Sequence, residues 1–322
     1  MKKNYLLMIT LVAVTFLGAG CSKEESSVVK DSNELKITTN IVKPLTKSIV
    51  SSFSGSVIGV YVDDVAGANY ADNVYHPTTN STATINAGTN SANPSPSIYI
   101  NTDAKVYAWY PAIVNELSFP DYSFTKAIMV VDTDDFTATN QTDYLWATPV
   151  GVNKDNRTAN LSFQHALSKI IFRINTDVNY AGKGILTEIS LTTTALDDAY
   201  KFLSGNGIMK ISDGIISGLT PTSILTYTGS NTLSNTATDM LALVAPAKLA
   251  EKASDISTIT INLTIDGAIY SASLPISSAY SWIAGTEYTY TITISSGELL
   301  INTVSITDWE IGNTGGSIIS AK

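Results

Sequence analysis

The sequence predicts an all-β fold, and three observations carry that prediction. Side chains alternate with a period of two through most of the chain, as in Leu35, Ile37, Thr39 and Ile41 set against Lys36, Thr38 and Asn40. That is the pleat of a strand with one buried face. No stretch carries an apolar stripe at helical spacing for more than two turns. Charged residues make up only 15 % of the chain, below the usual quarter, while Ser, Thr and Asn are plentiful. Uncharged polar side chains suit strand faces and loops better than surface helices. At ~150 residues per domain, the length allows two sandwiches with cores of their own.

The first element is a leader. Lys2 and Lys3 precede an apolar run over residues 6–16, then come Gly18, Ala19, Gly20 and Cys21. Residues 1–20 read as a secretory signal, too short and wrongly flanked for a spanning helix. Cys21 is the single cysteine, so no internal disulfide is available, and it stands where a lipoprotein receives its lipid. Gly18 holds the position where a lipobox usually has Leu. Acylation contributes ~0.8 kcal/mol per buried CH₂, so a lipidated Cys21 would hold the chain on membrane lipid without a spanning segment. Residues 21–33 are polar and of mixed charge, a tether between lipid and fold. The formal charge is −9, and −11 without the leader, because Lys2 and Lys3 leave with no acid. A chain of that sign is repelled by nucleic acid and by anionic surfaces, so neither is expected as a partner.

Strands follow from Glu34. Residues 57–62 are apolar on both faces, as in a strand buried within a core. Residues 105–110 set Val106, Ala108 and Tyr110 against Tyr107 and Trp109, and further strands are predicted over 127–131 and 143–148. Residues 90–97, rich in Asn, Pro and Ser, read as loop. Over residues 160–175, Leu161, Phe163 and Leu167 share one face while Ile170, Phe172 and Ile174 share the other. A one-residue slip reverses every side chain, so the chain must bulge or change sheets near Ser168 and Lys169. The domain boundary is placed just before this segment, giving 34–155 and 156–322. In the second part, Ile259, Ile261, Leu263 and Ile265 alternate with Thr and Asn, and Asp266-Gly267 predicts a two-residue hairpin turn. Tyr288, Tyr290, Ile292 and Ile294 alternate with threonines, and Ser296-Gly297 turns the chain into a strand over 299–309. Residues 239–247 are β-compatible, and 195–203 is the best place for a short helix.

Little in the chain points to chemistry. His76 precedes Pro77 in a polar stretch, and His165 lies on the Leu161/Phe163 face, where a lone histidine is usually a hydrogen-bonded core residue. There is no second cysteine, paired-histidine motif or Gly-rich phosphate loop, so zinc, thiol and nucleotide chemistry have no footing and no cofactor is expected. Asp132, Asp134 and Asp135 lack the Gly and closing Glu of a calcium loop and read as a solvated acidic turn, as do Asp63-Asp64 and Asp197-Asp198. Trp109, Trp146, Trp282 and Trp309 could offer stacking platforms to a glycan, yet each falls in or beside an alternating apolar strand and reads as core.

Asp143-Tyr144-Leu145-Trp146-Ala147, followed after a short gap by Leu161-Ser162-Phe163-Gln164-His165-Ala166-Leu167-Ser168-Lys169-Ile170, resembles the central signature of the fimbrillin family, the pilin-like surface lipoproteins of Bacteroides-type bacteria. Thr46-Lys47 ahead of Phe53 and Val57-Ile58-Gly59-Val60 agrees with it. So do Trp282-Ile283-Ala284-Gly285, Tyr288-Thr289-Tyr290 and the closing Ile306-Thr307-Asp308-Trp309. Ser22-Lys23-Glu24-Glu25 is similar to the signal that sends such lipoproteins to the outer face.

The resemblance implies two transthyretin-like β-sandwich domains in tandem and a structural role as stalk, tip or anchor of a fimbria, with no catalysis. It implies a lipidated precursor from which a trypsin-like protease removes the first strand together with the lipid. A neighbouring subunit's strand then fills the open groove. The removable strand here is 35–42, with Leu35, Ile37 and Ile41 apolar. Cleavage is expected between Lys47 and Ser48, since Lys43 is followed by Pro44. Relatives cut by an arginine-specific protease have Arg there, and this chain has none before Arg157, so either a lysine-tolerant protease acts or the subunit stays uncut and anchored. The candidate donor is 299–306 with its tail, through Leu300, Ile301, Val304 and Ile306; the plainer reading makes it the last strand of the second sandwich. The implied partners are other fimbrial subunits, the maturation protease and outer-membrane lipid. The alternative is a surface lipoprotein that binds glycans or acts as an adhesin without polymerising.

Overall fold

Alternation along the chain becomes strands packed on two cores. The computed structural model describes residues 33–39, 56–64, 81–86, 89–112, 129–132, 141–249, 258–275, 281–295, 298–308 and 317–319. In chain order these begin with β1 (Lys36–Thr39), β2 (Val57–Asp64), β3 (Ser81–Thr84), β4 (Ser91–Ala92) and β5 (Pro94–Ser95). Then come β6 (Ala104–Tyr110), β7 (Met129–Asp132), β8 (Leu145–Val152), β9 (Thr158–Leu161) and β10 (Phe163–His165). A three-stranded sheet, β4-β1-β9, faces a six-stranded sheet, β10-β8-β6-β2-β3-β5. Between them lies a core of Leu35, Ile37, Ile58, Val60, Val62, Val106, Ala108, Leu145, Ala159, Leu161 and their neighbours. Residues 90–97, expected as loop, instead supply β4 and β5. Their composition is that of a loop, but a two-residue pairing needs only backbone groups.

Strand β6 is buried on both faces. Val106 and Ala108 enter the first core, while Tyr107 and Trp109 join Tyr61 on the opposite face. Gly59 stands directly across from Trp109 in the β2–β6 register, and a Cβ there would lie 2.1 Å from the indole Cε2. Only glycine leaves room for the ring.

The second part holds β11 (Ser168–Thr176), β12 (Ile185–Thr193), β13 (Phe202–Ser204), β14 (Asn206–Met209), β15 (Ile216–Ser217), β16 (Thr220–Thr222) and β17 (Ile224–Thr232). It continues with β18 (Thr238–Val244), β19 (Thr258–Ile265), β20 (Ala268–Pro275), β21 (Thr286–Ile294), β22 (Leu299–Asp308) and β23 (Ser317–Ile319). A five-stranded sheet, β18-β11-β21-β22-β23, packs on a four-stranded one, β17-β12-β19-β20. Ile259, Ile261, Leu263 and Ile265 line their shared core with Tyr288, Tyr290, Ile292, Ile294, Ile170, Phe172 and Ile174, as the alternation predicts. Asp266 (φ 52°) and Gly267 (φ 81°) turn β19 into β20, both in the left-handed region that a two-residue hairpin of this type requires. The short helix expected over 195–203 reduces to a single 3₁₀ turn, Asp198–Tyr200, capped by the Asp197 side chain.

The segment that reverses its faces is where the chain changes cores. Strands β9, β10 and β11 lie in three different sheets, with breaks at Ser162 and at Ala166-Leu167. Leu161 and Phe163 stay in the first core, but Leu167 does not share their cluster as expected; it packs with Ala166 against Tyr144 and Trp109. Strands β9 and β10, which follow residue 155, pair within the sheets that hold β1 and β8. A third sheet, β15-β14-β7, takes β7 from the first part and β14 from the second, in register from Asn206↔Asp132 to Met209↔Met129. Met209, Ile211 and Leu243 thereby meet Tyr107 and Trp109 in a junction cluster. Residues 33–322 form one unit.

Candidate functional site: the slot that holds the first strand

β1 is a middle strand, not an edge. It runs parallel to β9 in the register Lys36↔Thr158, Ile37↔Ala159, Thr38↔Asn160 and Thr39↔Leu161, and antiparallel to β4 with Ile37↔Ala92. Its backbone is held on both sides: Leu35 N–H donates to Ile98 O (2.7 Å), Lys36 N–H to Arg157 O (2.9 Å) and Thr39 N–H to Asn90 O (2.8 Å). Ile100 N–H donates back to Asn33 O at 2.7 Å. The Thr38 hydroxyl donates to Asn160 Oδ1, the Thr39 hydroxyl to Asn90 O at 3.1 Å, and the Ser97 hydroxyl to Glu34 Oε1.

The side chains explain why the strand is held in one register. Leu35 and Ile37 are 0 % and 1 % exposed, and Thr39 is buried beside them. Ile37 stands between Ala92 on one side and Ala159 on the other, so two small residues wall a place for one branched side chain. Burying Leu35 and Ile37 stabilises the strand by on the order of 3–6 kcal/mol, at ~1.5–3 kcal/mol each. Lys36 and Thr38 point away from the core, so a slip of one residue would put them where Leu35 and Ile37 belong.

Ile41, Lys47, Ser48 and Cys21 lie outside the described residues, as do His76, Trp309, Asp134 and Asp135. The candidate donor lies in β22, which is paired with β21 from Leu299↔Ile294 to Asp308↔Thr286 and flanked by β23 on its other side. Leu300 is 44 % exposed, Ile301 and Ile306 pack against the second core, and Val304 pairs with Tyr290 and Ile319. In this state β22 is a structural strand of the second sandwich.

The residues that could have carried other functions are occupied in packing. Trp109 is 1 % exposed, and Trp282 is 2 % exposed and stacked on Phe202 at 5.2 Å. Trp146 is half-buried against Gly214. His165 is buried, with Nδ1 2.9 Å from Asp143 Oδ1. No helix of the described residues is long and apolar enough to cross a membrane. Among those residues no three His, Cys, Asp or Glu gather as metal ligands.

The sequence pattern that defines the fimbrillin-like family matches residues 49–309. The chain belongs to the fimbrillin-like family. A fimbrillin-like protein is a structural, fimbrial or adhesin-type protein of the cell surface and not an enzyme. Its fold is shared with solved structures of two candidate cell adhesion proteins. One, from Bacteroides uniformis, is 17 % identical with TM-score 0.57, covering 86 % of this chain and 97 % of its own. The other, from Bacteroides ovatus, is 17 % identical with TM-score 0.57, covering 87 % and 99 %. The fimbrial anchor protein Mfa2 of Porphyromonas gingivalis also matches, at 10 % identity and TM-score 0.43 over 90 % and 99 % of the two chains, a likeness too distant to bear on function. No curated protein matches the chain in sequence.

The walls of the slot in this fimbrillin-like chain were not foreseen. Ala92, Asn90, Ala159 and Asn160 touch or pair with β1 from far along the sequence, and no local pattern announces a partner at that distance. The apolar alternation of Ala159 with Leu161 marks a strand without naming its neighbour.

Proposed function

We propose that this chain is the lipid-anchored precursor of a fimbrial subunit, assembled by donor-strand exchange once its first strand has been cut away. One observation carries the reading. The N-terminal strand is the middle strand of a sheet, paired on both sides and buried through Leu35 and Ile37. Removal of such a strand leaves β4 and β9 with unpaired backbone edges flanking an apolar channel, which another strand must fill. Cleavage after Lys47 would detach β1 and the acylated Cys21 in one piece, and outer-membrane lipid would hold the precursor until then. The partners are a protease of trypsin-like specificity and further subunits, of this kind or related ones.

The donor is drawn from the C-terminal end, through Leu300, Ile301, Val304 and Ile306 or the tail beyond them. Among the described residues, strand β23 is joined to β22 at three positions, Val304↔Ile319, Ser305↔Ile318 and Ile306↔Ser317. At ~1 kcal/mol net per hydrogen bond, the tail peels away far more readily than the ten residues of β22. The buried positions of Trp109 and Trp282 weigh against a stacking platform for glycans.

N-terminal sequencing of protein released from the cell surface tests the proposal. A start at Ser48, with ladders on gels that disappear in Lys47→Ala, is the expected result. A blocked Cys21 on all surface protein would make the chain a permanent anchor instead. Monomeric, soluble protein after loss of residues 1–47 would end the assembly reading.

A further inference from the structure

Strand β18 is an outer strand of the five-stranded sheet; among the described residues it is paired with β11 alone, through Lys169↔Leu243 and Ile171↔Leu241. Met240, Ala242 and Val244 face the second core, while Leu241 and Leu243 face the junction between the sandwiches. On the side of β18 away from β11, however, one side chain is docked. Gln141 Nε2 donates to Leu241 O at 2.9 Å, and Gln141 Oε1 accepts from Leu243 N–H. The identity of both partners fixes which way round the amide sits.

This is the bonding of a strand residue. In a parallel ladder one residue donates its N–H to the carbonyl before its partner and accepts from the N–H after it. The primary amide of Gln141 does both, opposite Ala242. We infer that Gln141 is a side-chain plug. It takes the place of a parallel strand on β18 and shuts this edge of the second sandwich against strand addition from a second copy of the chain. The inference goes beyond the exchange proposed above and does not depend on it. Where exchange does occur, the plug keeps an incoming strand from pairing with β18 in place of entering the β1 slot.

A long open edge invites pairing with another chain unless something occupies or repels it. Gln141 lies just ahead of β8, so the plug is supplied by the first sandwich to the second and is carried by the folded junction itself. Its removal should leave the strand intact, because the ladder between β11 and β18 runs on the opposite side.

The test uses the full-length, uncleaved chain. In the wild type the Leu243 amide exchanges slowly with solvent deuterium although no strand of the described residues lies against it; fast exchange there overturns the inference at once, without any variant. In Gln141→Ala the Leu243 amide exchanges at least about tenfold faster, and sedimentation shows concentration-dependent self-association that the wild type lacks. Gln141→Glu replaces the donor to Leu241 O with a carboxylate oxygen that repels it, so its Leu243 amide is exposed as well, but the charge it places on the edge keeps the variant unassociated. A Gln141→Ala chain that exposes the amide yet remains monomeric overturns the role as a plug, as does a Gln141→Glu chain that associates equally well.

Discussion

At the scale of single residues, the fold depends on side chains whose space is set by what stands opposite them. Ile37 fills the place between Ala92 and Ala159, and neither alanine can close the gap if the branched side chain is shortened. Ile37→Ala should lower stability by about 2–5 kcal/mol, read as a shift of the urea midpoint; an unchanged midpoint would mean that β1 is held by its backbone alone. Asp266 acts through charge. Its carboxylate accepts from Ile185 N–H (3.0 Å), Gly184 N–H (2.9 Å) and the Tyr180 hydroxyl (2.9 Å). These bonds, that from Ile185 foremost, hold its pKa below the ordinary 3.8. Tyr180 is pushed up, first by desolvation and then by its hydrogen bonds to Tyr270 and Asp266. A carboxyl with a depressed folded pKa contributes stability that is complete above 3.8 and is lost as pH falls through the lower folded value. Asn also tolerates the left-handed turn, so Asp266→Asn isolates the charge. The variant should be less stable than the wild type at neutral pH, and the gap should close in strong acid. Equal gaps at both pH values would show that the turn geometry, not the carboxylate, is what matters.

At the scale of elements, the proposed exchange would be selective for direction and for phase. The slot holds β1 parallel to β9, with apolar residues two apart and the Thr38 hydroxyl beside Asn160, and an incoming strand would have to match that pattern. In full-length chain nicked after Lys47, a labelled peptide with the sequence of residues 33–42 should displace the resident strand. The same peptide with Ile37 and Thr38 interchanged should not, and equal entry of the two would show that register is not read. How far these elements were legible follows from their chemistry. Strands β2, β19, β20 and β21 and the Asp266-Gly267 turn could be read because alternation and turn residues are local signals. Strands β4 and β5 could not, since Ser91-Ala92 and Pro94-Ser95 pair through their backbones and their composition says loop. His165 was legible as a core residue, but its partner Asp143 was not, for a hydrogen bond between two strands leaves no mark on either. The change of sheets was visible in the reversal of faces between Phe163 and Ile170. The cluster that Leu167 joins was not, because Leu167 is as apolar as its neighbours whichever cluster holds it.

At the scale of the whole molecule, the two sandwiches are fastened to each other more firmly than a flexible linker would allow. Strand β7 crosses to pair with β14. Met209, Ile211 and Leu243 from the second part pack with Tyr107 and Trp109 of the first, and Gln141 bonds the backbone of β18. Gly214 adds a contact that no other residue could make. Its φ is 71°, and a Cβ there would lie 2.1 Å from Trp146 Nε1, so the indole lies directly on its backbone. A subunit of the proposed fibre would need both sandwiches to resist tension as one, and this junction would supply the coupling. The two cores should therefore open together: amides in β2 and β6 and amides in β19 and β21 should report the same free energy of opening by hydrogen exchange. Gly214→Ala must displace Trp146 and force a non-glycine residue into the left-handed region, at about 1–3 kcal/mol for either effect. The damage falls on the junction and leaves both cores intact, so the two sets of amides should separate in the variant, each sandwich then opening at its own stability. If the wild type already shows two stabilities, the sandwiches are mechanically independent, and force would pass through the polypeptide between them in place of the packed junction.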